Sequence, residues 1–321
     1  MEKEGLMKKY LIKYWFFIGI AVVVFLAFQA PIVGIKIKEW RLLSIGIFLA
    51  FFINGLELQT KSMIEEMKNI RGLASAVLSS LFFFPVLTYF LASFLLRDLS
   101  DFTLGAILIA VAPVTIASGT VLTGLARGNI PLSILICIAV NFVSLFTIPI
   151  SLRIMVQFEQ HIELSAIELL KNLMLIVLLP TILGQLLRIK VQDRLKRYHA
   201  AFSYFSQTVI LMIILNSVSS STDQLLRAGP QVLYVFLFMI PLHAVVLITN
   251  YGLSRVLKFD RPSRATFTIH TSQKTLTIPY IVWAAYFSVH LPMAMIPPIV
   301  YHLTQMVTDT FVADHFRKQS E

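Results

Sequence analysis

Lys274 stands in the stretch ATFTIHTSQKTLTIPYIVWAAYFSV, residues 265–289. That length suits one membrane crossing, about 20 residues for a helix. Its centre is nevertheless polar: His270, Thr271, Ser272, Gln273, Lys274, Thr275 and Thr277. Lys274 lies ten residues beyond Arg264, the last residue of a basic loop. At about 1.5 Å per helical residue this puts the ammonium near the bilayer midplane, too deep to snorkel to the headgroups. Inserting it there costs about 2.5–3.5 kcal/mol, so such a residue is functional or paired within the protein. Three kinds of chemistry suit it: attraction of an anion, exchange of a proton, or hydrogen bonding to unwound backbone. Pro279 follows at a position suited to the first turn of a new helix. The span therefore reads as a broken helix, with halves before Thr271 and from about Thr277.

A second apolar segment, 103–126, carries a similar interruption. After GAILIAVA come Pro113 and VTIASGT, with Thr115, Ser118, Gly119 and Thr120 in mid-crossing. A simple kink is the plainer reading, because Gly and Pro are common in membrane helices. The pairing with the first interruption favours a break. A half-helix that begins at a break presents free N–H groups and about half a positive charge. Two such ends meeting at the midplane attract a carboxylate or sulfate. The hydroxyls of Thr115, Ser118, Thr120 and Thr275 can serve unwound backbone or a solute.

The elements that hold these stretches are membrane helices. The 321 residues are 57% hydrophobic and only 14% charged, against about 25% charged in soluble domains. Ten crossings are expected: 11–28, 42–58, 72–95, 103–126, 131–152, 164–187, 202–219, 231–254, 265–289 and 292–312. The fold class is thus an all-α polytopic membrane protein forming a single membrane domain over residues 1–321. The first segment follows Lys8 and Lys9 like a signal peptide, but no clear cleavage site comes after it. Cys137 is the only cysteine, so no internal disulfide forms. The net charge of +10 does not imply a nucleic-acid partner, because the basic residues sit in loops between apolar segments. With the amino terminus inside, 19 of the 27 Lys and Arg residues, Lys61 and Lys68 among them, fall on the inner side. Seven fall outside and Lys274 is the last. The positive-inside rule then places both termini in the cytoplasm, and the expected location is the plasma (inner) membrane. The two interrupted crossings are the fourth of each set of five, and two sets of five must be inverted relative to one another. Matched interruptions in inverted halves point to a transporter's binding site. The expected partners are a small organic anion and the lipid bilayer.

The chain resembles the bile acid:sodium symporter superfamily, in its SBF-like branch. The resemblance is carried by Asn54-Gly55-Leu56-Glu57-Leu58, by Pro113 through Ser118, and by Leu125-Ala126-Arg127-Gly128-Asn129 with Pro131-Leu132-Ser133. Ser272-Gln273-Lys274-Thr275-Leu276 and Tyr301-His302 with Gln305 complete it, over residues 10–312. It implies a core bundle of crossings three to five and eight to ten (72–152 and 231–312) and a panel of crossings one, two, six and seven (11–58 and 164–219). The broken helices four and nine cross in the core, and organic anions bind between core and panel. Sodium symporters of this kind surround two sodium ions with oxygens. Ser118, Ser133 and Gln273 match three such positions. The expected glutamate falls on Ile269, and the asparagines fall on Gly119 and Lys274. Cys137 replaces a threonine and Ser80 a glutamine. Too few oxygens remain for two good sodium sites.

Thr115, Ser118, Gly119, Thr120, Gln273, Lys274, Thr275 and Asn216 are therefore the candidate substrate residues. Lys274, Ser118, Ser133, Gln273 and His302 are the candidates for ion coupling, with either sodium or a proton as the ion. No cofactor and no certain metal site are expected. Plainer roles compete for several of these: His302 and His270 as packing residues, Asn216, Ser217 and Ser219 as helix contacts, Glu57 as a solvated cytoplasmic end. Asp309, near the end of the last crossing, reads as an interfacial residue. The leading function is secondary transport of small amphipathic organic anions, proton-coupled or sodium-independent. A true sodium symporter, and a receptor or scaffold on a transporter fold, are the alternatives. An intramembrane enzyme is disfavoured: there is no H-E-x-x-H or G-x-S-x-G, and the one close aspartate pair, Asp98 and Asp101, lies in a short outer loop.

Overall fold

A computed structural model describes residues 2–58, 70–160 and 164–319. Lys61 and Lys68, counted above for topology, lie outside them. The described residues form helices and no strand. In chain order these are α1 (Glu2–Gln29), α2 (Pro31–Glu39), α3 (Leu42–Glu57), α4 (Ile70–Leu78), α5 (Phe84–Leu95), α6 (Ser100–Val111), α7 (Ala117–Leu125) and α8 (Ile130–Gln160). Then follow α9 (Ala166–Leu173), α10 (Leu179–Leu195), α11 (His199–Ser220), α12 (Thr222–Ala228), α13 (Gln231–Val256), α14 (Arg261–Ser272), α15 (Thr277–Tyr286) and α16 (Ile296–Lys318). A π-turn at Ser79–Phe83 joins α4 to α5, and another at Met174–Leu178 joins α9 to α10.

Among the described residues, five helical spans are long and apolar enough to cross a membrane: Ile70–Leu95, Ile130–Val156, Ala166–Val191, His199–Ser220 and Gln231–Val256. The pair Tyr14–Gln29 and Pro31–Glu39, bent by 99°, makes a sixth when counted as one span. The paired segments α6/α7 and α14/α15 do not meet that test because each is divided near its middle. α2 and α12 were not anticipated from the sequence. Both are short: α2 starts at Pro31, where a missing N–H does no harm, and α12 follows Ser221 directly after α11.

Sequence punctuation fixes the helix starts near the site. Asp260 caps α14 by accepting from the Ser263 N–H at 3.2 Å, with Pro262 in the first turn. Ser165 caps α9 by accepting from the Glu168 N–H at 3.3 Å. α3 packs on α10, α1 and α2 pack on α11, and α14 is held by α7, α8, α13 and α16. The α3–α10 contact depends on two glycines. A Cβ on Gly55 would stand 2.1 Å from the Thr181 carbonyl oxygen, and one on Gly184 would stand 2.0 Å from that of Phe52.

Candidate functional site

Both interruptions are true breaks. α6 ends at Val111 and α7 begins at Ala117, while α14 ends at Ser272 and α15 begins at Thr277. The first residue of each break is extended, with φ −64°, ψ 150° at Ala112 and φ −79°, ψ 152° at Gln273. The breaks touch: the Thr275 N–H donates to the Pro113 carbonyl at 2.9 Å.

Backbone freed at membrane depth must find partners inside the protein, and here it does. The Ala112 carbonyl accepts from Lys274 Nζ at 2.7 Å, and the Val114 carbonyl from Asn141 Nδ2 at 3.2 Å. The Thr115 carbonyl meets His270 Nε2 at 2.8 Å. In the other break, Tyr301 Oη donates to the Ser272 carbonyl at 2.8 Å. Gln305 grips the Lys274 backbone from both sides, accepting from its N–H at 2.7 Å and donating to its carbonyl at 2.8 Å.

Lys274 is fully buried. Besides Ala112, its ammonium donates to the Ser80 carbonyl at 2.6 Å and to Ser80 Oγ at 3.1 Å, and it lies 4.8 Å from the centre of the Phe84 ring. Local sequence explains why that carbonyl is available. In the π-turn the Phe84 N–H reaches back five residues to the Ser79 carbonyl. The next residue, Pro85, has no N–H to offer Ser80. Ser80 stands where the family resemblance would place a glutamine, and it serves the lysine instead.

Thr115, Ser118 and Gln273 come together. Thr115 Oγ1 lies 2.6 Å from Ser118 Oγ, and both hydroxyls contact Gln273 Oε1, at 2.8 and 3.2 Å. Gly119 is adjacent to His270: a Cβ there would meet the imidazole at 2.5 Å. Ser133 does not join the Gln273 cluster; its hydroxyl meets His270 Nδ1 at 2.6 Å and donates to Thr120 Oγ1 at 3.3 Å. His302 is buried and its Nδ1 meets Gln305 Nε2 at 2.9 Å. Asn216 is occupied between helices, donating to the Gly34 carbonyl at 2.9 Å and accepting from Tyr280 Oη at 2.8 Å. Glu57 is paired with His199 at 2.8 Å, its side chain 11% exposed, so it is not simply solvated.

The interfacial reading of Asp309 is corrected. The carboxylate is fully buried, with Oδ2 accepting from Gln273 Nε2 and Oδ1 facing His243 Nε2, both at 2.8 Å. α16 continues to Lys318, which places Asp309 well inside the helix. Sequence reading also passed over His243, Asn250 and Ser79, and gave Tyr301 no role beyond carrying the resemblance. Asn250 donates to Ser272 Oγ at 2.8 Å and accepts from Ser79 Oγ at 2.5 Å. A usable signal existed: His243 and Asn250 are polar residues seven apart in the apolar α13, hence on one helical face.

Two cavities flank Ile116, the residue before α7. One, of about 170 Å³, is lined by Thr115, Ser118, Thr275, Thr277 and His302 from the breaks and α16, and by Asn54, Ser203, Ser206 and Gln207 opposite. The other, of about 280 Å³, is lined mostly by apolar side chains, including Phe51, Phe142, Leu145 and Val177, with Ile116 shared. Among the described residues no group of three or more His, Cys, Asp or Glu could hold a metal ion.

The SBF-like CPA transporter family matches residues 14–318. The chain is 26% identical over 317 residues to the sodium/bile acid cotransporter 7-A of Xenopus laevis, covering 94% of this chain and 91% of that one. It is 25% identical over 309 residues to the sodium/bile acid cotransporter 7 of Danio rerio, covering 92% and 91%. It is also 25% identical over 319 residues to a protein named "Probable sodium/metabolite cotransporter BASS4, chloroplastic" from Oryza sativa subsp. indica, covering 92% and 74%.

Proposed function

Because the chain belongs to the SBF-like CPA transporter family, we propose that it is a secondary transporter carrying small amphipathic organic anions by alternating access. The observation that carries this reading is the pair of cavities that share Ile116 in their walls. One holds the hydroxyls at the starts of α7 and α15 among apolar side chains; the other is almost wholly apolar. An anionic head suits the helix starts, and a hydrocarbon body suits the apolar space. Thr115, Ser118, Thr275 and the backbone around Gly119 and Thr120 bind the head. Gln273 orients the two hydroxyls. Asn216, tied between Gly34 and Tyr280, acts in this reading by fixing the wall around the site.

The ten helical segments form two inverted halves in this reading, with α4–α8 and α13–α16 as core and α1–α3 and α9–α11 as panel. The distribution of basic residues supports both termini in the cytoplasm. Lys274 supplies a positive charge where a sodium ion would sit. A sodium ion about 4 Å from a charged lysine would be repelled by about 4 kcal/mol at an effective dielectric of 20, roughly a thousandfold in affinity. Transport is then sodium-independent and proton-linked, and Ser118, Ser133, Gln273 and His302 bond to protein partners rather than to a metal. A sodium-driven symporter is the second reading, favoured by the word sodium in the names of the relatives above.

Uptake of radiolabelled taurocholate into proteoliposomes tests these readings. The expected result is uptake without a sodium gradient, strengthened by a proton gradient, and lost in Lys274→Gln, which removes the charge standing in for sodium. Uptake that requires a sodium gradient restores the sodium symporter, and undiminished uptake by Lys274→Gln counts against the role given to Lys274. Saturable binding with no uptake under any gradient favours a receptor.

A further inference from the structure

Hydrogen-bond geometry around His243 leaves a proton to be assigned. Tyr301 has one hydroxyl hydrogen, and its 2.8 Å bond to the Ser272 carbonyl uses it, because a carbonyl can only accept. The 2.9 Å contact between Tyr301 Oη and His243 Nδ1 therefore needs Nδ1–H as donor. On the other side of the ring, Nε2 lies 2.8 Å from Asp309 Oδ1, and that contact needs a hydrogen too. Gln273 Nε2 fills Asp309 Oδ2 as a donor and supplies no proton to the pair. All of these bonds hold together only when His243 and Asp309 share one proton more than a neutral imidazole and a carboxylate carry. Whether it rests on Nε2 or on Oδ1, the pair is then neutral overall. Both side chains are fully buried.

We propose that His243 and Asp309 together form a proton-carrying site, and that Tyr301 transmits loss of the proton to the break before α15. When the proton leaves for water, the pair goes from neutral to a single negative charge and Nε2 keeps its hydrogen for the carboxylate. Nδ1 then presents a lone pair to Tyr301. The phenol hydrogen turns from the Ser272 carbonyl to Nδ1, and the last carbonyl of α14 loses that donor. No covalent bond other than N–H or O–H is made or broken. The remaining ionisable groups nearby are engaged elsewhere. Lys274 is bound to Ser80 and Ala112, His270 to Ser133 and Thr115, and His302 to Gln305. α7 carries no ionisable side chain, Asp101 lies at the far end of α6, and Arg261 and Arg264 lie in the first turn of α14.

The site deepens the transport reading and rests on it only for its coupling sense. Gln273 bridges Asp309 to the hydroxyls of Thr115 and Ser118. A negative charge on the pair opposes an anion there, so anion and proton travel in the same direction.

Hydrogen–deuterium exchange of peptides covering residues 270–280, in the purified protein without ligand, tests the proton site directly. After correction for intrinsic rates, exchange in the wild type should rise about tenfold in one step as the pH is raised, the equivalent of one lost hydrogen bond. Asp309→Asn should abolish the step. Tyr301→Phe should abolish it as well, leaving fast exchange throughout, and Lys274→Gln should retain it. A wild type without a step, or a step that survives in either Asp309→Asn or Tyr301→Phe, overturns the proposal. Should Asp309→Asn not fold, the Tyr301→Phe result decides alone. A step that behaves as expected in a protein that takes up no taurocholate supports the proton site and counts against the transport reading.

Discussion

Removing the Lys274 ammonium strands two buried carbonyls, those of Ser80 and Ala112, now held at 2.6 and 2.7 Å. Lys274→Met does this with little change in volume. Each orphaned acceptor costs about 1–3 kcal/mol, so about 2–6 kcal/mol together. The same change relieves about 2.5–3.5 kcal/mol of lysine burial. The two effects oppose one another, and the single variant is expected to lose no more than about 3.5 kcal/mol of stability. A double-mutant cycle isolates the Ser80 carbonyl. Pro85→Ala restores an N–H five residues after Ser80, in register with the neighbouring bond from Phe84 to Ser79. In the wild type that N–H competes with an ammonium already in place. In Lys274→Met it finds an empty acceptor and should recover about 1–3 kcal/mol. Unfolding of all four proteins in the same detergent, by heat or denaturant, gives the coupling energy. A coupling within about 0.5 kcal/mol of zero, the ordinary scatter for independent sites, would refute the idea that Pro85 frees this carbonyl for Lys274.

Gln305→Leu removes both bonds to the Lys274 backbone; it is expected to cost about 2–5 kcal/mol in the same unfolding assay, and a loss below about 1 kcal/mol would show that the break needs no such clamp. Outside the expected crossing, burial pushes the Asp101 carboxyl up to about 6, opposed by a hydrogen bond from the Met293 backbone. A raised carboxyl contributes stability that is complete below the unfolded-state value and is lost as pH rises through about 6. Asp101→Asn should therefore melt increasingly above the wild type from about pH 4 to about pH 7; a difference between the two that does not vary with pH would contradict this.

The breaks were legible because membrane interiors tolerate so little. The polar run from His270 to Thr275 does not suit a lipid-facing helix, Pro113 with Thr115, Ser118 and Gly119 interrupts an apolar one, and the structure divides both helices there. That Lys274 is buried was foreseeable from its distance to Arg264 within one apolar span. Its partners did not: Ser80 reads as a bland serine until Pro85, five residues on, is seen to withhold the N–H that would occupy its carbonyl. α2 and α12 escaped notice because helices of nine and seven residues carry too little periodic signal. Asn216 drew attention as a polar residue in an apolar segment, and nothing local in the sequence tells a wall-fixing amide from a ligand-binding one. That difference is set by Gly34 and Tyr280, far away in the chain.

Asp309 was misplaced for a reason that bears on how such chains should be read. A crossing of about 20 residues counted from Pro292 ends near residue 312, which leaves Asp309 at its rim. α16 runs on to Lys318, with His315, Arg317 and Lys318 in its last turn. Six further residues add about 9 Å of helix beyond that expected end. The basic last turn is the feature that marks the end of the helix, since Lys and Arg suit a helix C-terminus. Counting back from Lys318 instead puts Asp309 nine residues inside, on the same helix as Tyr301 and Gln305. Tyr301, Gln305 and Asp309 follow one another at intervals of four, so they share one face. That face meets Ser272, Lys274 and Gln273 in turn. A polar row at helical spacing on the last helix therefore holds the first half of the break in α14/α15. This row ties the backbone of the break to the carboxylate beside His243, so a change of charge at Asp309 is felt where α14 ends.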